Sequence, residues 1–258
     1  MSPAGVPGPL DVRVARKRLV NASGQTIEIL ANIAFRLGPG EVGALIGPSG
    51  CGKSTLLRII AGLDARFEGS VERPPGAVAM VFQEPRLLPW RSVEANIRLV
   101  APGLGKDALD ALLASLGLES HRAHFPGELS LGLARRAAIA RAFAIDSSLL
   151  LLDEPFSSLD GPLALAIQRE LAALVAARPL TTLLVTHDID EAIRLADRIW
   201  ILSPRPARIL DEIALASPRS ARTEAAAQSL KARIETLQAT LTGRACETGE
   251  AGDAQRRR

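Results

Sequence analysis

Eight consecutive residues, Gly47-Pro48-Ser49-Gly50-Cys51-Gly52-Lys53-Ser54, combine glycines, a lysine and a hydroxyl in an order that suits a polyphosphate. Glycines let successive backbone N–H groups curl toward phosphate oxygens, and a helix beginning near the lysine adds the positive end of its dipole. Lys53, one of four lysines in the chain, supplies a mobile point charge for terminal phosphates. The Ser54 hydroxyl is placed to ligate Mg²⁺. The pattern G-x-x-x-x-G-K-[ST] carries weight only between a strand and a helix. Here Val42–Ile46 is a short apolar run and Ser54–Ala61 reads as a helix, so the context is met. The candidate nucleotide contacts therefore run from Gly47 to Thr55, against the plainer alternative of a Gly-rich turn with a chance lysine.

A second constellation follows the apolar run Leu149–Leu152, which passes directly into Asp153-Glu154. A buried strand is a costly place for a charge, so an acidic residue at its carboxyl end is expected to meet a cation. Ligand crevices in parallel sheets lie at that end of the strands. Asp153 is accordingly the candidate Mg²⁺-associated carboxylate. Glu154, pointing to the other side of the strand end, is the candidate general base for an attacking water. The plainer reading is a turn or cap pair ahead of Pro155.

The elements that must hold these groups alternate short β-type runs with longer helical patterns, as in an α/β protein with a mostly parallel sheet. Strands are expected at Val42–Ile46, Ala77–Phe82, Leu149–Leu152, Leu183–Thr186 and Arg198–Leu202. An antiparallel β edge is expected from Val12–Val14 and Ile27–Leu37, with Gly38-Pro39-Gly40 as a turn. Between Pro85 and Ala144 the β signal disappears, while Asp107–Leu116 and Leu133–Phe143 carry helical periodicity. That region reads as a helical subdomain, approximately 87–146, inserted into the α/β core. Leu163–Ala177 is a further helix. Leu230, Ile234, Leu237 and Leu241 form a stripe that either packs on its own domain or meets a partner. The expected organisation is a flexible N-terminus over 1–10, one domain over 11–242 and a polar, disordered tail over 243–258.

With both chemical constellations in place, the chain resembles the ATP-binding subunits of ATP-binding-cassette (ABC) transporters, over roughly Val12 to Ile209. Gln83 stands after the strand Ala77–Phe82, where that family has its glutamine loop. Leu129-Ser130-Leu131-Gly132-Leu133 stands at the signature sequence, usually Leu-Ser-Gly-Gly-Gln. Ser157-Ser158-Leu159-Asp160 matches the aspartate loop, and Thr186-His187-Asp188 the histidine switch. The resemblance implies a P-loop nucleoside triphosphate hydrolase fold and ATP and Mg²⁺ as cofactors. It also implies a head-to-tail dimer in which each ATP lies between the phosphate loop of one subunit and the signature segment of the other. Ser130 and Gly132 would then contact the γ-phosphate, His187 the γ-phosphate and the Glu154 side, and Gln83 the metal and the water. Asp160 would join the two subunits across their interface.

Two departures from the family pattern stand out. Leu131 replaces a signature glycine and Leu133 a polar residue, which is acceptable at Leu131 only at negative φ. The stretch Arg16–Asn21, where the family stacks adenine on an aromatic ring, has none; the Arg18 guanidinium or Leu19 is left for that contact.

Gln83-Glu84-Pro85-Arg86-Leu87-Leu88-Pro89-Trp90 and Ser203-Pro204-Arg205-Pro206-Ala207-Arg208-Ile209 look like the importer branch for nitrate, sulfonate, taurine and related anions. The implied partners are a second ATPase subunit, a homodimer being the simplest case, an integral-membrane permease and, indirectly, a substrate-binding protein. The permease would dock beside Gln83 and Trp90, unless Leu87–Trp90 only packs the helical lobe on the core. The implied location is the cytoplasmic face of a bacterial inner membrane. Exporter or lipid-transport ATPases, an inactive cassette and a non-transport cassette ATPase are the alternatives.

Composition agrees with this class and removes others. At 258 residues, 47% hydrophobic and 23% charged, the chain has the make-up of a globular protein with a substantial core, which excludes wholesale disorder or a collagen. No apolar run approaches the ~18–20 residues of a membrane span. The net charge is +3, Tyr is absent and Phe is scarce, so the basic, aromatic-interleaved stripe of a nucleic-acid binder is missing. Cys51 and Cys246 make no disulfide framework, which fits a reducing cytoplasm. Met1–Leu10 lacks the charged and apolar regions of a signal peptide.

Overall fold

The computed structural model describes residues 8–254 apart from 158, 179 and 216, without the side chains of 220 and 240–254. The chain begins with strands β1 (Leu10–Val20), β2 (Thr26–Leu37) and β3 (Val42–Ile46), helix α1 (Lys53–Ile60), and strands β4 (Glu68–Glu72) and β5 (Ala77–Val81). Helices α2 (Val93–Val100), α3 (Lys106–Ser115) and α4 (Leu131–Phe143) follow, then β6 (Ser147–Asp153), α5 (Gly161–Ala176) and β7 (Thr181–Thr186). The last elements are α6 (Ile189–Leu195), β8 (Arg198–Leu202), β9 (Ile209–Ala214) and α7 (Glu224–Ala254). These elements sort into two compact units. One contains Arg36–Val42 and Glu72–Val185 with the N-terminal residues to Asp11; the other contains Val12–Phe35, Gly43–Val71 and the chain from Thr186.

In the first unit β5, β6 and β7 are parallel, with Val81 opposite Leu152 and Asp153 opposite Val185. Every residue of β6 is buried, which explains its unbroken apolar run: a strand covered on both faces has no solvent side to alternate with. Its polar members have partners. The Ser148 hydroxyl donates to the carbonyls of Pro74 and Ala77, while at the start of β7 the Thr181 hydroxyl donates to Gly8 O at 3.1 Å. That bond, with Leu10 fully buried in β1, corrects the expectation of a flexible stretch over 1–10. Residues 8–10 are anchored, because alternating apolar side chains from Leu10 onward already belong to a strand; residues 1–7 lie outside the described residues. All regular structure between β5 and β6 is helical, as the loss of β signal there predicts, and it includes α2, whose short Val-Glu-Ala-Asn-Ile pattern had not been read as a helix.

In the second unit β1 is the centre of a three-stranded sheet, β2-β1-β4, with β1 and β2 joined by the turn Asn21–Gln25. β4 was not foreseen, because Glu-Gly-Ser-Val-Glu has almost no apolar face. Its Gly69 allows the close pairing: a Cβ there would sit 2.0 Å from the Arg13 carbonyl oxygen. β3 and β8 run parallel, with Gly43 opposite Arg198 and Ile46 opposite Ile201, and β9 pairs antiparallel with β8. Fully buried Trp200 lies 4.7 Å from the Phe35 ring, centroid to centroid. Ile234 is fully buried and α7 packs on α6, so the stripe on the last helix serves its own unit there. α7 continues to Ala254, which departs from the disordered tail expected over 243–258. The segment has no proline, although Gly243, Gly249 and Gly252 each disfavour a helix by about 1 kcal/mol relative to alanine; residues 255–258 lie outside the described residues.

The second unit contains an ion pair whose ammonium is buried and whose carboxylate is half-buried. The Lys17 side chain is 2% exposed, and its ammonium lies 2.6 Å from Asp64 Oδ2 and donates to the Arg66 carbonyl at 2.7 Å. Burial pushes the Asp64 carboxyl up, but the hydrogen bond from Lys17, the Arg66 N–H and both nearby charges bring it net below its ordinary value. A carboxyl lowered by folding stabilises the protein above its unfolded value near 4, and that stabilisation is lost as the pH falls through the folded value. Asp64→Asn leaves the ammonium buried without its counter-charge and is expected to cost about 3 kcal/mol at pH 7. Denaturant melts at pH 7 and pH 3 check this. The gap between variant and parent should narrow at pH 3, and an equal gap at both would rule out the ion pair as its source.

Candidate functional site

Strand β3 ends at the glycine-bounded loop, and the loop ends in α1, all within the second unit. Gly47 fits because a Cβ would lie 3.0 Å from the Leu202 Cβ on β8. Gly52, at φ +128°, is backed by Ile29 and Leu30, whose side chains would meet a Cβ at 2.9 Å. No side chain caps α1, and its first turn carries no acidic residue. The N–H groups at such a helix start are receptive to an anion. Lys53 is buried, and its ammonium donates to the carbonyls of Gly47 at 2.8 Å and Pro48 at 3.1 Å. Its charge thus sits beside the carbonyls of the first two residues of the loop. Pro48, Ser49 and Gly50 are exposed, whereas Cys51 is buried and its thiol is pushed up by that burial. Ser54 and Thr55 are half-buried on the first turn of α1.

Arg205 reaches the same loop, its guanidinium donating to the Gly50 carbonyl at 2.5 Å. The turn that presents it is closely fastened. The Ser203 hydroxyl donates to the carbonyls of Pro204 and Pro206 and accepts from the Arg208 N–H, and the Ala207 N–H donates to Ile29 O. Arg205 was read in the sequence only as part of a subfamily resemblance; its contact with the loop is 155 residues away in sequence and has no local signal. His187 is also in this unit, exposed between β7 and α6. Its position is set by its neighbours: the Thr186 hydroxyl donates to Glu191 Oε2 at 2.5 Å, and Asp188 caps α6 by accepting from the N–H groups of Asp190 and Glu191. Arg18 and Leu19, the two candidates for an adenine contact, are both exposed on the last residues of β1.

The first unit brings together the remaining candidates. Asp153 is 6% exposed as the last residue of β6. Glu154 follows at φ +45°, a left-handed conformation that costs a non-glycine residue about 1–2 kcal/mol. Its N–H donates to Val185 O at 2.9 Å, and its carbonyl accepts from both the N–H and the hydroxyl of Ser157. These bonds close the turn and hold the strained backbone. Gln83 is exposed just beyond the end of β5, and the parallel register of β5 and β6 places it on the same edge as Glu154. Ser130 is the N-cap of α4, its hydroxyl accepting from Leu133 N–H at 3.3 Å, and Asp160 is the N-cap of α5, accepting from Leu163 N–H at 3.0 Å. Gly132 lets these two helix starts approach, since a Cβ there would lie 2.7 Å from Leu163 Cδ2. Leu131 is not among the residues at positive φ and is 46% exposed, so it sits in the first helical turn without strain. Ser158 of the aspartate-loop match lies outside the described residues.

The segment after Gln83 forms a ledge. Asn96, fully buried on α2, accepts from Leu88 N–H and donates to the carbonyls of Leu88, Arg91 and Ser92. Leu87 and Leu88 are half-buried while Trp90 is 70% exposed, so the indole does not pack the lobe. A separate cleft of about 360 Å³ is lined by Asp190, Arg194, Arg222, Glu224 and Lys231 among others. Lys231 is paired there with Asp190 at 2.6 Å, and the cleft shares no residue with the phosphate loop.

Residues 30–157 match the family described as ABC transporter. The chain is 45% identical to aliphatic sulfonates import ATP-binding protein SsuB 2 of Pseudomonas syringae pv. tomato, over 83% of this chain and 91% of that one. It is 41% identical to the protein of the same name from Burkholderia cenocepacia, over 91% and 90% of the two chains. Among solved structures, it is similar to the ATP-binding cassette MJ0796 in a dimeric post-hydrolysis state bound to ADP and Pi. The TM-score is 0.71 at 28% identity, covering 81% of this chain and all of that one.

Proposed function

Because the chain belongs to the ABC transporter family of ATP-binding, ATP-hydrolysing cassettes, we propose that it is the subunit that energises import of an aliphatic sulfonate. The observation that carries the nucleotide chemistry is the loop Gly47–Ser54. It is a glycine-bounded loop whose Gly47 and Pro48 carbonyls hold the Lys53 ammonium, at the start of a helix with no acidic residue in its first turn. In this reading the loop N–H groups and Lys53 bind the β- and γ-phosphates. Glu154 accepts a proton from the attacking water, His187 steadies the γ-phosphate, and Gln83 orients the water. Ser130 and Gly132 offer the start of α4 to the γ-phosphate of ATP held by a second copy, and Asp160 lies across the joint between copies. The work done is positioning and charge stabilisation rather than covalent catalysis.

Ser54 and Asp153, with Gln83, would hold Mg²⁺. By chemical type a carboxylate, a hydroxyl and an amide suit a hard ion that shares substrate phosphates and keeps water. No cluster of three or more His, Cys, Asp or Glu exists among the described residues, so an all-protein cage is not the design. Mg²⁺ supplies neutralisation of the phosphate charge that builds in the transition state.

The partners in this reading are a second copy of the chain, an integral-membrane permease seated on the Leu87–Trp90 ledge and, through it, a substrate-binding protein. No helix among the described residues is long and apolar enough to cross a membrane, and the proposed place is the inner face of the cytoplasmic membrane. Uptake of a labelled alkanesulfonate by cells lacking this gene tests the proposal. Uptake should be lost, return with the wild-type gene and fail to return with Glu154→Gln. Unchanged uptake in the deletion strain would overturn the assignment of cargo.

A further inference from the structure

Arg135 lies on α4, five residues beyond its N-cap Ser130, and is 2% exposed. Its guanidinium does not pair with a carboxylate in any bond shown. Instead Nη1 donates to the carbonyl of Phe82 at 3.2 Å and to that of Gln83, and Nη2 donates to the carbonyl of Ser157 at 3.1 Å. The three acceptors come from two separate segments. One carries Gln83; the other is the turn whose opposite end is Glu154, closed by the two bonds from Ser157 to the Glu154 carbonyl. A planar fork of fixed donors is the side chain that can span two such segments at once.

We propose that Arg135 is a positioning residue, a strut that fixes the Gln83 backbone and the Glu154 turn against the helix that begins at Ser130–Gly132. It touches neither nucleotide nor metal; it acts through the two groups that flank the attacking water, and the inference rests on the roles given above to Gln83 and Glu154. Its burial depresses the guanidinium below its ordinary range, and Nε has no hydrogen-bond partner, so a charge is retained here at a cost that only its carbonyl partners offset. The same strut gives a route by which displacement of α4 reaches the water-activating groups of its own subunit. The exposed Ser130 and Leu131 sit at one end of α4 and the buried fork about one turn further along.

The test is steady-state hydrolysis of ATP by the full-length protein with Mg²⁺, alongside nucleotide affinity and thermal midpoint, for Arg135→Met, Arg135→Gln, Arg135→Lys and Glu154→Gln. A shift of about 1 Å in a catalytic group costs on the order of 100-fold in rate. Arg135→Met should therefore lower kcat by 10- to 100-fold, with the dissociation constant for ATP within about threefold, since the phosphate loop makes no contact with this side chain in the bonds described. Arg135→Gln and Arg135→Lys, which reach only one of the two segments, should recover part of kcat, and they carry the test if the methionine variant fails to fold. A folded variant with wild-type kcat, or equal losses in kcat and ATP affinity, overturns the strut. If Glu154→Gln itself turns over at the wild-type rate, it is the premise about Glu154 that falls; inert Glu154→Gln beside fully active Arg135 variants refutes only the strut.

Discussion

Glu154→Gln retains ATP binding and loses turnover by a factor of about 10² to 10⁴, the range by which a positioned general base accelerates proton transfer. That loss corresponds to roughly 3–5 kcal/mol of transition-state stabilisation. The substitution is nearly isosteric, and glutamine meets the same backbone demand as glutamate at φ +45°, so the turn fastened by Val185 and Ser157 is left in place. What changes is the carboxylate's capacity to take a proton from water. The kinetic signature is therefore a fall in kcat at nearly constant nucleotide affinity, read from phosphate release and from equilibrium binding of ATP. Because hydrolysis would normally part the two copies, the variant should also accumulate as an ATP-dependent dimer in sizing experiments. Turnover at the wild-type rate would remove Glu154 from its assigned role and leave Asp153 or His187 to be tested for it.

The two constellations that were legible in the sequence are those whose chemistry depends on neighbours along the chain. A phosphate loop must present consecutive N–H groups, so its glycines, lysine and serine cannot be scattered. An acidic pair at the end of Leu149–Leu152 is equally local, because the strand supplies both the burial and the direction. Gln83, Ser130, Asp160 and His187 were readable only through resemblance, since each alone is an ordinary polar residue at the end of an element. The structure gives two of them local work as well, as N-caps of α4 and α5.

Arg135 and Arg205 left no such signal. Arg135 sits in an Ala- and Arg-rich helix, and its partners are backbone carbonyls 22 to 53 residues away. Arg205 meets the loop only after β8 has returned beside β3. Carbonyl acceptors have no residue type, so no spacing rule can point to them. The fold shows the same divide. Strands with clear apolar faces were placed within a few residues. β4, polar on most of its length, becomes a strand because the already formed β1 offers it hydrogen bonds.

Lys53→Ala should produce the opposite split from Glu154→Gln: nucleotide binding fails before chemistry can be measured. A charge-assisted hydrogen bond contributes about 1.5–3 kcal/mol, so loss of the ammonium from the loop weakens ATP affinity by roughly 10- to 150-fold. In the free protein the same ammonium holds the carbonyls of Gly47 and Pro48. Its removal also loosens the loop that must close on phosphate, which adds an ordering cost to binding. Thermal shift reads both effects. A ligand that binds only the folded state raises stability by RT ln(1 + [L]/Kd), so the wild type and Glu154→Gln should show a graded rise in midpoint with added Mg²⁺ and ATP, whereas Lys53→Ala should show the same rise only at roughly 10- to 150-fold higher concentrations. A full shift in Lys53→Ala at the wild-type concentrations would mean that the backbone N–H groups and α1 hold the phosphates unaided. The lysine would then be reduced to a clasp on Gly47 and Pro48, and its role would move from binding to the shape of the loop.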